Sequence, residues 1–196
     1  MARRTRAEME ETRLLLLATA KKVFCKQGYA EASMDDLTAQ AGLTRGALYH
    51  HFGDKKGLLS AVVAQIDAEM DARLQVISDT VDDLWVAFST RCHTYLEMAL
   101  EPDIQRIIMR DARAILSDKV TELPTHCVAS MSNMIDKLMD NKILIATDPK
   151  MLALFIYGSL EATALWVANS QDGETQLEHA KSTLDVLLNS LRISAK

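Results

Sequence analysis

The side chains best suited to specific chemistry lie close together near the start of the chain. Thr44, Arg45, Tyr49 and His50 fall within one short segment, and Lys55 follows a few residues later. An arginine in the first turn of an exposed helix can donate two hydrogen bonds to guanine in the major groove of DNA. Tyrosine, histidine and lysine can donate to phosphate oxygens, which orients a protein on the duplex. This combination of residues indicates DNA binding.

Two short helices are predicted to position these side chains. Ser33 is a good N-cap for the first helix, and Gly42 ends it. Thr44 can cap the second helix, in which Leu48 and Phe52 lie four residues apart and face inward. A glycine turn between two short helices that follow a supporting helix is typical of a helix-turn-helix, whose second helix enters the major groove.

The predicted DNA contacts are the residues that this geometry leaves outside, together with the caps. Gly46 lacks a side chain where the recognition helix would approach the groove. The next helix, capped by Asp54, has an N-terminus whose backbone amides could bind a phosphate. The predicted DNA-binding residues are Ser33, Thr44, Arg45, Gly46, Ala47, Tyr49, His50 and Lys55.

Composition and charge are those of a globular protein with an asymmetric charge distribution. The chain has 196 residues, of which 48% are apolar and 25% charged, and this excludes a disordered chain. The net charge is −5, but residues 1–57 carry +3 and residues 58–196 carry −8, which favours a polyanionic partner for the N-terminal part. No run of 18 apolar residues and no secretory signal is present, so we expect no membrane span and a cytoplasmic location.

No sequence pattern for catalysis is present. The chain lacks a glycine-rich phosphate loop, a His-Glu-x-x-His motif and a nucleophile elbow, so we predict no catalytic residues and no cofactor. Cys92–His93 and His126–Cys127 could bind Zn²⁺ if their helices packed together, but adjacent residues rarely give suitable geometry. We predict no metal site. A redox- or metal-sensing regulator is one alternative, and an all-α enzyme or adaptor without DNA binding is another.

The prediction for the fold is an all-α protein with nine helices. No segment shows the alternation of a strand, and five of the seven glycines lie in the first 57 residues, so short helices precede long ones. A break near residues 78–83 is expected to separate two long helices. The predicted first helix and last four helices cover about 7–27, 103–117, 124–141, 148–170 and 174–191.

The N-terminal pattern resembles the TetR/AcrR family of bacterial transcriptional regulators over about residues 10–60. Two departures from the usual family pattern, Thr38 and Thr44, are mild. The resemblance implies an all-α homodimer with a DNA-binding domain, here 1–57, and a ligand-binding and dimerisation domain, here 58–196. It also implies repression of transcription that a small molecule relieves. The residues that carry it are Phe24, Gly28, Tyr29, Leu37, residues 41–52, Lys55 and Leu58.

A small-molecule pocket is predicted in the C-terminal part. Seven of the ten methionines lie between Met70 and Met151, and methionine adapts to varied apolar ligands, although the same spacing fits an ordinary core. We therefore expect an apolar effector. The predicted ligand-binding residues are Trp85, Phe88, Tyr95, Met98, Met109, Met131, Met134, Phe155 and Trp166.

The last two helices are predicted to form the homodimer interface. The helix over 148–170 is apolar on nearly every side, so we expect it to be buried all round. With the leucine stripe of the final helix it can form half of a four-helix interface about a two-fold axis. Such a dimer would bind an inverted-repeat operator in double-stranded DNA. The predicted interface residues are Phe155, Trp166, Leu177, Leu184, Leu187 and Leu188.

Overall fold

The computed structural model of the chain describes residues 5–116 and 125–193. The chain divides into two compact units, one formed by Met1–Ala68 with Pro102–Val120 and the other by Glu69–Glu101 with Thr121–Lys196. These units differ from the predicted division at residue 57 because a segment distant in sequence joins the first unit. The assignment of DNA binding to residues 1–57 and of ligand binding to residues 58–196 stays a prediction.

The first four helices are set by caps and glycines close in sequence. Thr5 and Glu8 form a reciprocal capping box at the start of α1. Regular helix geometry breaks at Gly28, where φ is 83° and only glycine is unstrained, but helical turns continue for three more residues. The predicted end of the first helix near residue 27 therefore coincides with this break. The bounds are α1 Arg6–Glu31, α2 Met34–Ala41, α3 Arg45–Phe52 and α4 Lys55–Thr80.

The remaining helices follow the predicted order with small shifts of their ends. Among the described residues no strand occurs, and the only β contact is an isolated bridge between Leu144 and Arg192. A π-helix, π1, continues directly into a single α-helical turn, α6, and the two counted together give nine helices in the described part of the chain. The bounds are α5 Leu84–Met98, π1 Ile104–Ala112, α6 Arg113–Ile115, α7 Thr125–Asp140, α8 Pro149–Asn169 and α9 Gly173–Ser190.

The α-helix predicted over 103–117 is wrong in type, because most of it is π-helix. Its buried residues include Ile104 with Met109 and Ile107 with Ala112, two pairs spaced by five residues. A spacing of five matches the i→i+5 hydrogen bonds of a π-helix. The apolar sequence fits either helix type, so only packing distinguishes them.

The first unit has an apolar core beneath the helix-turn-helix. Leu16, Phe24, Leu37 and Leu48 are at most 1% exposed, and they come from α1, α2 and α3. π1 packs against α1 in the same unit. Polar contacts accompany this packing: Lys21 Nζ lies 2.9 Å from Asp103 Oδ2, and the backbone N–H of Tyr29 donates to Asp111 at 2.7 Å.

The second unit is a helical bundle in which α8 packs against α5, α7 and α9. By length and composition α8 could also cross a membrane, although no uninterrupted apolar run of 18 residues occurs in the sequence. The expectation that this helix is buried all round is wrong for the single chain. Phe155 is 74% exposed and Trp166 is 70% exposed, whereas Ala164 and Val167 are fully buried.

Candidate nucleic-acid interface

The two short helices are held by the caps that the sequence predicts. Ser33 Oγ accepts a hydrogen bond from the backbone N–H of Asp36 at 2.9 Å. Thr44 Oγ1 accepts from the N–H of Ala47 at 3.2 Å. Gly42 adopts φ 65° at the end of α2, a left-handed conformation that glycine provides without strain. Both helices therefore begin and end for reasons that are local in sequence.

The recognition helix α3 has one buried face and one exposed face. Leu48 is completely buried, and Phe52 is half-buried. Arg45, Tyr49 and His50 are exposed, as the sequence predicts. A helix of this kind presents an arginine, a phenol and an imidazole to a partner while its leucine fixes it on the core.

Asp35 is an ionic partner of the recognition helix that sequence reasoning missed. Its carboxylate accepts hydrogen bonds from Nε and Nη2 of Arg45, and this pairing raises the pKa of the guanidinium. Ten residues of chain and a turn separate the two, so no helical spacing indicates the contact. The pair is exposed, where ion pairs exchange readily with other partners. Asp35 therefore holds the guanidinium in place in the free chain.

Gly46 is not required by any contact within the chain. A Cβ at this position would meet only Thr44 Oγ1, at 3.9 Å, and Gly46 is exposed. Glycine inside a helix costs about 1 kcal/mol relative to alanine. A glycine that costs stability without relieving a clash fits a site where a partner approaches the backbone closely.

The side chain of Lys55, predicted to contact a phosphate, makes contacts within the free chain. Its ammonium donates to the carbonyl oxygen of Ala30 at 3.2 Å and lies 4.4 Å from the ring centroid of Tyr29. Partial burial lowers its pKa. The lysine therefore joins the start of α4 to the end of α1 in the free chain, and its phosphate contact stays a prediction. Lys56 is exposed beside it.

The N-terminus of α4 is capped within the chain. Asp54 Oδ1 accepts from the N–H of Gly57 at 2.6 Å. A Cβ at Gly57 would overlap the carbonyl oxygen of Phe52, so a glycine is needed for the chain to turn this tightly. The carboxylate of Asp54 occupies the position where a phosphate was expected, which makes this helix end a weaker phosphate site than the sequence indicates.

The nine predicted ligand-binding residues stay a prediction, and each of three cavities in the described part of the chain contains at most two of them. Met109 lies on π1 in the first unit, and the other eight belong to the second. Tyr95 and Met131 line a small cavity of about 30 Å³, while Met134 lines a larger one of about 230 Å³. Trp166 borders a surface groove. The residues that line none of these are Trp85, Phe88, Met98 and Phe155.

The six predicted dimer residues divide into exposed and buried groups. Phe155, Trp166 and Leu187 are exposed. Leu184 and Leu188 are 7% and 2% exposed, because this face of α9 packs within the single chain. They therefore form part of the core of the unit rather than a free interface. Leu177 is half-buried.

The cysteine and histidine pairs do not combine in the way that the sequence suggests. Cys92 is buried, which raises the pKa of its thiol to about 12, and His93 Nε2 lies 2.8 Å from Asp185. His126 Nε2 and Cys127 Sγ instead lie 3.4 Å apart. Asp71 lies within 4.0 Å of both, although this carboxylate is distant in sequence. Within the described ranges these three form a possible metal-ligand group.

Comparisons with protein families match both parts of the chain. Residues 16–62 match the model described as "Bacterial regulatory proteins, tetR family". Residues 85–191 match the model described as "Tetracyclin repressor-like, C-terminal domain". The second match alone covers more than half of the chain.

Individual relatives are named as HTH-type transcriptional regulators. The chain is 34% identical over 109 residues to the HTH-type transcriptional regulator TtgR of Pseudomonas putida, covering 55% of this chain and 52% of that protein. The match thus spans about half the length of this relative. The chain is 28% identical to AcrR of Shigella flexneri over 65% of this chain and 69% of AcrR.

A solved structure resembles the chain over nearly its whole length. This is a TetR-family transcriptional regulator from Pectobacterium atrosepticum, with 59% sequence identity and a TM-score of 0.90. The match covers 98% of this chain and 100% of that one. A gamma-butyrolactone receptor shares the fold at 18% identity with a TM-score of 0.62.

Proposed function

Because the chain belongs to the TetR family of bacterial transcriptional regulators, we propose that it represses transcription from an operator that a small molecule makes it release. The observation that carries this proposal is α3, which rests on the buried Leu48 and exposes Arg45, Tyr49 and His50. The relatives described above are named as regulators, which supports a non-enzymatic role. Such a protein works where DNA is accessible, in the bacterial cytoplasm.

Base recognition is assigned to Arg45. In the free chain its guanidinium is held by Asp35, and DNA offers guanine O6 and N7 as a replacement for the two carboxylate oxygens. Thr44 and Ser33 serve as caps, while Tyr49 and His50 donate to phosphate oxygens. Gly46 and the small Ala47 allow the helix backbone to lie close to the groove. Lys55 acts indirectly, by joining α4 to α1.

A homodimer is assigned to the exposed apolar faces of α8 and α9. Phe155, Trp166, Val186 and Leu187 are each more than half exposed. Large aromatic and aliphatic side chains at this exposure favour a protein interface. A two-fold axis through this surface brings the same residues of both protomers together and gives two recognition helices for an inverted repeat. The same association accounts for the apolar character of α8 without a membrane.

The switch is assigned to a ligand bound in the second unit. α4 begins immediately after the recognition segment and ends in the second unit, so its displacement can change the spacing of two recognition helices in a dimer. An effector needs to favour the released state by only about 1–3 kcal/mol. By reciprocity, operator DNA must weaken effector binding by the same factor.

The test selects duplexes from a random library with the purified full-length chain, then measures affinity against salt concentration. We expect an inverted repeat, a steep loss of affinity with salt, and two protomers per duplex by light scattering. Arg45→Ala is the matched control, because it removes an exposed side chain while leaving Leu48 in place. A wild type that binds no duplex above background, or a stable monomer at micromolar concentration, would refute the proposal.

A second candidate function is metal sensing, favoured by the group Asp71, His126 and Cys127. The separations of 3.4–4.0 Å between their ligand atoms approach those around a tetrahedral ion, and the set suits Zn²⁺. Titration with Co²⁺ tests it. A thiolate-to-cobalt absorption band that Cys127→Ser abolishes would support a site, and no band at millimolar Co²⁺ would exclude it.

A further inference from the structure

The second unit contains one buried arginine whose position the proposed function does not yet explain. Arg91 lies on α5 and is 6% exposed. Its Nη1 donates to Ser78 Oγ at 2.6 Å. Among the residues that the structure describes, no carboxylate oxygen lies within 4 Å of the guanidinium. A guanidinium stays charged in proteins, so this charge is buried with a hydroxyl as its neighbour rather than an acid.

The acids around Arg91 compensate its charge only from a distance. Burial lowers the pKa of Arg91, while Asp71 and Asp79 favour its charged form. Asp79 is engaged by Gln75, whose Nε2 donates to it at 2.8 Å. A buried charge without a close counterion is expensive, because the lost hydration is not replaced by ion pairing. Such an arrangement is maintained where a ligand supplies the missing anion.

Arg91 lines two cavities of the second unit. The larger, of about 230 Å³, also has Lys137, Ser130 and Asn133 in its walls, so that hydrogen-bond donors surround it. The smaller, of about 30 Å³, is bounded by Tyr95 and other side chains. An engineered cavity of about 150 Å³ holds a benzene molecule. The larger cavity is therefore wide enough for one aromatic ring, and its two cations outnumber its single acid, Asp79.

We propose that the larger cavity binds a small planar carboxylate, with Arg91 donating two hydrogen bonds to the carboxylate oxygens. This inference rests on the proposed function, since it names the chemical class of the effector. The planar fork of a guanidinium matches a carboxylate in a way that an ammonium does not. This proposal differs from the apolar effector that the methionines predict. Of the predicted pocket residues, Met134 alone lines this cavity.

The experiment compares benzoate with benzamide, which has nearly the same shape and no charge, by titration calorimetry on the full-length protein. We expect wild type to bind benzoate at least ~10-fold more tightly. Arg91→Gln should abolish this preference. Lys150→Gln, which removes an exposed cation of the same unit outside the cavity, should preserve it. Thermal melting of each variant checks that it is folded.

Three results would overturn the inference: no benzoate binding at 10 mM, equal affinity for benzoate and benzamide in wild type, or an unchanged preference in Arg91→Gln. The first two need no variant, so a misfolded Arg91→Gln protein does not obscure them. Arg91→Lys adds a graded comparison, since it keeps the charge and loses the fork.

A separate measurement of operator binding distinguishes this inference from the function on which it rests. If benzoate binds through Arg91 and the selected duplex is not released, the anion site stands and the regulatory proposal fails. If uncharged molecules release the duplex and carboxylates do not, the regulatory proposal stands and the anion site fails.

Discussion

Two arginines in different parts of the molecule are held in opposite ways. Arg45 is exposed and shares two hydrogen bonds with a carboxylate, whereas Arg91 is buried and, within the described part of the chain, donates to the hydroxyl of Ser78 rather than to an acid. Solvent screens the first pair, so DNA can displace Asp35 at little cost. Burial leaves the second charge with less hydration, so a ligand that brings an anion to it gains affinity. An exposed arginine such as Arg45 can therefore exchange a carboxylate for DNA. A buried arginine such as Arg91 favours an anionic ligand over an uncharged one.

The largest effect is expected where the exposed site depends on the core. Leu48→Ala removes a completely buried side chain beneath Arg45, and should lower the free energy of unfolding by about 2–5 kcal/mol. Leu14→Ala is the matched control, because this leucine of α1 is 54% exposed, lies outside the proposed dimer surface and should change stability by less than about 0.5 kcal/mol. Urea denaturation monitored by circular dichroism measures both. Equal losses would show that α3 does not depend on its buried face.

Replacing Arg45 tests the exposed half of the comparison directly. Arg45→Ala should weaken binding to the selected operator by roughly 10- to 100-fold and relax the preference at one base pair. The melting temperature should stay unchanged, since the pair with Asp35 is exposed. Asp35→Asn is expected to do the reverse, because it frees the guanidinium and removes a negative charge near the phosphates. Fluorescence anisotropy decides, and unchanged affinity in Arg45→Ala would contradict the orientation assigned to α3.

Gly46→Ala should separate stability from function at the same surface. The new methyl group has open space in the free protein, so α3 should be stabilised by up to about 1 kcal/mol. DNA affinity should fall, because the methyl group occupies the position where the helix approaches the groove. Denaturation and anisotropy on one preparation test both directions. A variant that is more stable and binds DNA as tightly as wild type would contradict a close approach of the α3 backbone to DNA at Gly46.

The smallest effects distinguish two adjacent lysines. Lys55→Ala should cost a few tenths to about 1 kcal/mol of stability, because its contacts with Tyr29 and Ala30 are lost. The salt dependence of DNA binding should stay the same, since this ammonium already donates to Ala30 and lies against the ring of Tyr29. Lys56→Ala should leave stability unchanged and lower the salt slope by about one ion. A lower salt slope in Lys55→Ala with unchanged stability would instead identify Lys55 as a phosphate contact.

Much of the recognition helix follows from sequence because its causes are local. The hydroxyls of Ser33 and Thr44 meet amides three residues away, and Leu48 and Phe52 share a face by helical period. The partners in these contacts are fixed by short spacings in the sequence, although helices this short need the core for their stability. The family pattern lies in the same segment, so the fold class and the DNA-binding surface could both be predicted there.

Tertiary packing decided the features that join residues distant in the chain. The pairing of Asp35 with Arg45, the contact of Lys55 with Ala30, and the π-helix beginning at Ile104 have no local signal. Arg91 lies on α5 among polar and apolar residues, where sequence favours an exposed position for arginine. Its burial beside Ser78 depends on how three helices meet. Hydrogen bonds between residues a few positions apart and the helical period can be predicted from neighbouring residues. The burial of a side chain and its charged partners depend on how the whole chain packs.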